Sequence, residues 1–123
     1  MMQGFVNQSC EAMLRLAVGN ANSPKQMVDA VIDTGFTGFL SLPVATITAL
    51  SLPWQFRDVG TLGDGSEAIF DMYKATVIWD GMAKVIDVAA SEADPLIGMS
   101  LLHGFELKLE AVEGGTVTVT ALG

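Results

Sequence analysis

Ala30-Val31-Ile32-Asp33-Thr34-Gly35 runs three apolar residues into an aspartate and then into a Thr-Gly turn. The apolar stretch is longer than these residues: Met27 to Asp33 is interrupted only by Asp29, a pattern that predicts a strand covered on both faces. A carboxylate delivered by such a strand is costly to bury without a partner. Gly35 lets the backbone turn tightly beside it, and Thr34 offers a hydroxyl for a structural hydrogen bond. On these residues alone, an ordinary strand-end turn and a catalytic carboxylate both stay open.

To either side of this segment the chain alternates short β-patterned runs with turn residues, the signature of an all-β barrel or sandwich. Ala12 to Val18 places Ala12, Leu14, Leu16 and Val18 on one face, before a break at Gly19-Asn20-Ala21-Asn22-Ser23-Pro24. Pro43 and Pro53 bracket a short helix on which Val44, Ile47 and Leu50 are expected to face inward. From Phe56 the chain is extended through a glycine-rich tip at Gly63-Asp64-Gly65, and it returns from Phe70 to Trp79. Asp80-Gly81 predicts a two-residue hairpin turn into Met82 to Val88. Leu96-Ile97-Gly98 reads as a very short strand and Met99 to His103 as one or two helical turns. Phe105 to Ala111 and Thr116 to Leu122 close the chain as strands around Glu113-Gly114-Gly115.

The 123 residues suit a single domain over positions 1–123, and half of them are hydrophobic while 16% are charged. A formal charge of −8 repels phosphate backbones and argues against nucleic acid. The uncharged stretch from Thr34 to Phe56 is broken by Gly35, Gly38, Pro43 and Pro53, so it predicts core and no membrane span. Cys10 is the only cysteine and His103 the only histidine, which leaves no disulfide and no imidazole-based metal site. With no basic, apolar leader at Met1 to Phe5, the expected location is the cytoplasm.

Val31-Ile32-Asp33-Thr34-Gly35-Phe36-Thr37-Gly38 resembles the active-site strand of retropepsin-like aspartic proteases, of the bacterial single-domain type. Gly60-Thr61-Leu62-Gly63-Asp64-Gly65-Ser66 lies where that family carries its flap, the hairpin that closes over substrate. Leu96-Ile97-Gly98 ahead of a helix resembles its second signature, and the order of the three elements matches from about Glu11 to Leu122. The resemblance implies an acid-protease barrel with one or two short helices, active as a symmetric homodimer on peptide or protein substrates, without a cofactor. It assigns Asp33 as the catalytic aspartate, Thr34 as the tie between the two active-site loops, and Gly35 as the place where substrate backbone approaches. Phe36, Leu62, Gly63, Asp64, Gly65, Leu96, Ile97 and Gly98 fall in the substrate-binding and supporting positions. Phe36 departs from the family, where a small residue is usual, so it either lines the cleft or packs in the core.

Only one Asp-Thr-Gly is present, so one chain supplies half of a carboxylate pair. A twofold dimer would set two Asp33 side chains together, and like charges about 3 Å apart share one proton. Met13 to Val18 and Val117 to Leu122 are the expected interface strands. A rival reading is a retropepsin-like dimer kept for binding or scaffolding, which has no evident need for an acid at position 33. The remaining features read plainly. Asp58, Asp64, Glu67 and Asp71 predict a solvated hairpin, Trp54 and Trp79 packing residues, and Gly60-x-x-Gly63-x-Gly65 a turn with no helix to receive a phosphate.

Overall fold

The computed structural model describes residues 1–123 as ten strands and two short helices. In chain order these are β1 (Met2–Val6), β2 (Ala12–Gly19), β3 (Gln26–Ile32), β4 (Leu40–Pro43), α1 (Val44–Ala49), β5 (Trp54–Thr61) and β6 (Glu67–Trp79). They are followed by β7 (Met82–Ser91), β8 (Leu96–Ile97), α2 (Met99–Leu102), β9 (Phe105–Leu109) and β10 (Thr116–Ala121). The strands are hydrogen-bonded in the order β5-β6-β7-β4-β8-β3-β2-β1-β10-β9, and an added β2–β6 pairing closes six of them into a barrel. Closure leaves two appendages, β5 hanging from β6 and the β1-β10-β9 sheet hanging from β2.

The barrel closes because alternate residues of its strands are apolar and point inward. Leu14, Leu16 and Val18 of β2 are buried together with Leu40 and Leu42 of β4, Val77 of β6, Val88 of β7 and Ile97 of β8. Each such side chain contributes roughly 1.5–3 kcal/mol by leaving water. Trp79 is buried at the far end of β6, with its ring edge-on to Phe105 at 5.7 Å. Asp80 and Gly81 both take positive φ (52° and 82°), which is the hairpin turn the Asp-Gly pair predicts.

Two expectations need correction. β3 is covered on one face only: Met27 and Asp29 are exposed, and Asp29 pairs across the sheet with Arg15. The two helices pack on β4, β7 and β9 instead. Val44 is exposed on α1 while Ile47 and Leu50 are buried, because a single helical turn packs one edge. β1 and β4 lie in stretches to which the sequence pattern assigns no element. Neither alternates legibly, since Gly4 interrupts β1 and all of Leu40, Ser41 and Leu42 are buried. β2 and β10 each have hydrogen-bonded neighbours on both sides. The free edges belong to β5 and β9.

The two-residue strand β8 fixes the centre of the molecule. It pairs parallel with β3 (Val31 with Leu96, Ile32 with Ile97) and antiparallel with β4 (Leu40 with Ile97, Ser41 with Leu96). The connection between β3 and β4 is then stitched to Gly98 and the first turn of α2. Met99 N–H donates to the Phe36 carbonyl at 2.8 Å, Gly98 N–H to Phe39 at 3.0 Å, and Ser100 N–H to Gly38 at 3.1 Å. Gly98 has no room for a side chain, since a Cβ there would lie 2.1 Å from the Gly38 carbonyl oxygen and 2.7 Å from the Phe36 ring. A Cβ on Gly38 would meet the same ring at 2.6 Å, so Phe36 occupies space that both glycines leave.

Gly98→Ala should therefore destabilise the fold more than Phe36→Ala. The first obstruction is backbone and cannot rotate away. Phe36 is half-buried, so its truncation should cost less than the roughly 3–5 kcal/mol of a fully buried ring. Denaturant melts of the two variants give the order, and a Gly98→Ala protein as stable as the parent would contradict the packing described.

Candidate active site

Asp33 follows the last residue of β3, and its position is set at both backbone ends. Its N–H donates to the Ile97 carbonyl at 2.9 Å, and its carbonyl accepts the Phe36 N–H at 3.1 Å. Its side chain is half-buried, and Oδ1 accepts the Gly35 N–H at 2.9 Å. A Cβ on Gly35 would sit 3.2 Å from that oxygen, which accounts for the glycine. No second donor within the protomer reaches the carboxylate. A carboxylate has about four acceptor positions, so most of this one's capacity faces outward.

Asp33 stands where two depressions meet. On one side is a cleft of about 590 Å³ beneath the β5–β6 hairpin. On the other is a groove of about 500 Å³ between the β3 end and the Leu109 to Glu113 loop, lined also by Thr34 and Leu96. Of the residues singled out from sequence, Asp33, Gly35, Phe36, Leu62, Gly63 and Leu96 line the cleft. Thr34 lines the groove instead. Ile97 is wholly buried, and Gly98 is pressed against Gly38 and Phe36, so these two hold the loop from beneath and present nothing to a ligand. Asp64 and Gly65 belong to the hairpin tip outside the cleft lining. Phe36 resolves both ways, packing on the two glycines while its half-exposed ring forms part of the cleft wall.

Sequence reasoning missed Phe39, Phe56, Asp58, Phe70, Met72 and Asp87, all of which line the cleft. The period of two along β5 and β6 held the signal for four of them. The register pairs Phe56 with Met72 and Asp58 with Phe70, so these four side chains share the hairpin face turned to the cleft. The opposite face carries Arg57 beside Asp71 and Val59 beside Ile69.

The acidic residues of the hairpin consequently differ in role. Asp64 caps the tip, accepting from Ser66 Oγ at 2.6 Å and Ser66 N–H at 2.9 Å, and these two bonds, the hydroxyl first, hold its carboxyl below the usual range. Asp71 clasps the hairpin root, accepting from the Trp54 indole and the Arg57 guanidinium, each at 3.1 Å. Those donors, Trp54 foremost, hold its carboxyl below the usual range. Asp87 of β7 is neutralised by Lys74 at 2.6 Å.

The cleft thus offers carboxylates and apolar walls. His103 is exposed at the end of α2, and Cys10 is an exposed free thiol on the groove side, so neither brings a nucleophile and base together in the cleft. No three His, Cys, Asp or Glu side chains converge as metal ligands. No helix is long and apolar enough to cross a membrane.

No family model and no curated protein sequence matches the chain. Among solved structures it is similar to a retropepsin-like aspartic protease from Rickettsia conorii, with a TM-score of 0.57 and 15% identity. The match covers 99% of this chain and 91% of that one. The fold is retropepsin-like, and at that identity the likeness speaks for the fold alone.

The Asp71 clasp has a definite pH signature. A lowered carboxyl contributes stability that is present above the ordinary aspartate value, about 3.9, and is lost as pH falls through the lower folded value. Trp54 is half-exposed while Trp79 is buried, so tryptophan emission should report the clasp opening. The emission change should have its midpoint below about 3.9 and disappear in Asp71→Asn. A midpoint at or above that value would mean the clasp does not form.

Proposed function

We propose that the chain is an aspartic endopeptidase whose catalytic pair consists of Asp33 from two copies related by a twofold axis. One observation carries the proposal. Asp33 is held rigidly at the junction of a peptide-sized cleft and an open groove, with a single intramolecular donor on its carboxylate. Supporting it, the groove beside Asp33 is lined by Val31, Leu96, Leu109 and Val112, and the last two are exposed in the protomer. A second copy seated there would cover apolar surface and bring its own Asp33 to the same place.

Two such carboxylates hold one proton between them. The ionised member takes a proton from a bound water, whose oxygen forms a bond to the peptide carbonyl carbon. The protonated member donates to the carbonyl oxygen as it becomes a hydroxyl. Collapse of the resulting diol breaks the C–N bond: one hydroxyl returns its proton to the carboxylate that had donated one, the carboxyl that gained the water's proton passes it to the leaving nitrogen, and the pair again holds a single proton. No covalent enzyme intermediate forms. The β5–β6 hairpin serves as the flap that excludes water during these steps, and its apolar inner face suits that task. Thr34 lines the groove, the side on which a tie between the two active-site loops of such a dimer would form.

The rival is a dimeric binding or scaffolding module on the same fold. Exposure of the protein and of Asp33→Asn to a diverse peptide library from acidic to neutral pH separates the two. Cleavage by the parent should fall roughly 10²–10⁴-fold in the variant, the usual loss for a general acid–base group. Equal cleavage by both proteins, or peptide binding without any cleavage, would overturn the peptidase reading.

A further inference from the structure

The cleft contains one charge that neither the hydrolytic chemistry nor an ion pair uses. Asp58 lies on the inner face of β5, between Phe56 and Gly60, directly opposite Phe70. Its neighbours on the hairpin face are Phe56, Phe70 and Met72, and the cleft opposite carries Phe36 and Phe39 together with Thr37, Ser41, Ser91 and Ser100. No cation answers it. Arg57, the adjacent residue, falls on the opposite face and is occupied by Asp71. Lys74 is occupied by Asp87, the other carboxylate of the cleft wall. Within the protomer the Asp58 carboxylate accepts only the backbone N–H of Val59, at 2.9 Å.

A lone carboxylate on an otherwise apolar hairpin face is poorly matched to an apolar substrate side chain. Closing the cleft over such a residue would strip water from the charge and return nothing. The same surroundings match lysine or arginine well. The aliphatic stem of either lies along apolar walls while the head reaches a carboxylate, and a cation is also attracted to aromatic faces. The net charge of −8 adds a long-range attraction for basic peptides.

We infer that Asp58 is a specificity-determining residue that selects a lysine or arginine side chain in the substrate, at the position lying against the base of the hairpin. This inference rests on the peptidase reading and adds the substrate class to it: basic peptides, held by the cleft wall and cut at Asp33.

Cleavage profiles of the parent, Asp58→Asn and Asp58→Lys on one peptide library test it, with Asp33→Asn as the catalytic control. The parent should favour Lys or Arg at a single position. A preference of roughly fivefold corresponds to an ion pair of about 1 kcal/mol that keeps contact with water. Asp58→Asn should lose that preference, read as the ratio of basic to neutral peptides cut by the same protein, and Asp58→Lys should turn it towards Asp or Glu. Raising the ionic strength should weaken the parent's preference more than any residual preference of Asp58→Asn, which keeps only the long-range attraction of the net charge. Asp33-dependent cleavage with no basic preference, or with the same preference in Asp58→Asn, would overturn the inference and leave the peptidase reading intact. Absence of any Asp33-dependent cleavage would overturn the peptidase reading, and the selectivity with it.

Discussion

The backbone pairing of Leu96 and Ile97 between β3 and β4 is the constraint on which the rest of the structure depends. Two residues give one parallel and one antiparallel seam, and without them the barrel would be open between β3 and β4. The same two residues place the catalytic candidate, because the Ile97 carbonyl receives the Asp33 N–H. Buried amide groups must be paired somewhere. Here the loop after Asp33 satisfies its carbonyls on Gly98 to Ser100, so the loop cannot move independently of the barrel. A carboxylate in a preorganised position is what acid–base chemistry needs, and the fold supplies it from hydrogen bonds made for closure.

Around that fixed centre the molecule divides its tasks between its two appendages. The β5–β6 hairpin is exposed along most of β5 and carries its tip on Gly63 and Gly65, at which an added Cβ would meet no neighbour within 4 Å. It is held at its root by the Trp54–Asp71–Arg57 clasp, an arrangement that permits the tip to move while the base stays registered. The β1-β10-β9 sheet is anchored by buried Val117 and Val119, and the Leu109 to Glu113 loop beyond β9 forms the wall of the groove. One appendage covers the cleft and the other borders the surface where a second copy would sit. Asp33 lies between them.

Legibility in the sequence tracks how local the determining physics is. Asp33-Thr34-Gly35, Asp80-Gly81 and Leu96-Ile97-Gly98 each declare themselves within a few residues, because turn geometry and short apolar runs are local. The hidden features depend on partners distant in the chain. β3 reads as covered on both faces, yet its outer face exposes Met27 and Asp29, the latter paired with Arg15 across the sheet. Nothing in the residues of β2 and β10 reveals that each has neighbours on both sides. Phe36 stays undecided in the sequence because its packing depends on Gly38 and on Gly98, sixty-two residues away along the chain. Asp58 reads as one acid among several, and only the hairpin register turns it inward and its neighbours outward.

The central claim is that catalysis requires a pair of Asp33 carboxylates contributed by two chains, each chain holding one in place. Co-refolding the parent with increasing proportions of Asp33→Asn, at constant total protein, tests this directly. If the pair is shared, only dimers with two intact chains are active, and an equal mixture should retain about one quarter of the parent activity when chains assort at random. If each chain acts alone, the same mixture retains about one half, and activity falls in proportion to the parent fraction. A quadratic decline is the result this structure predicts, and a linear one would contradict it.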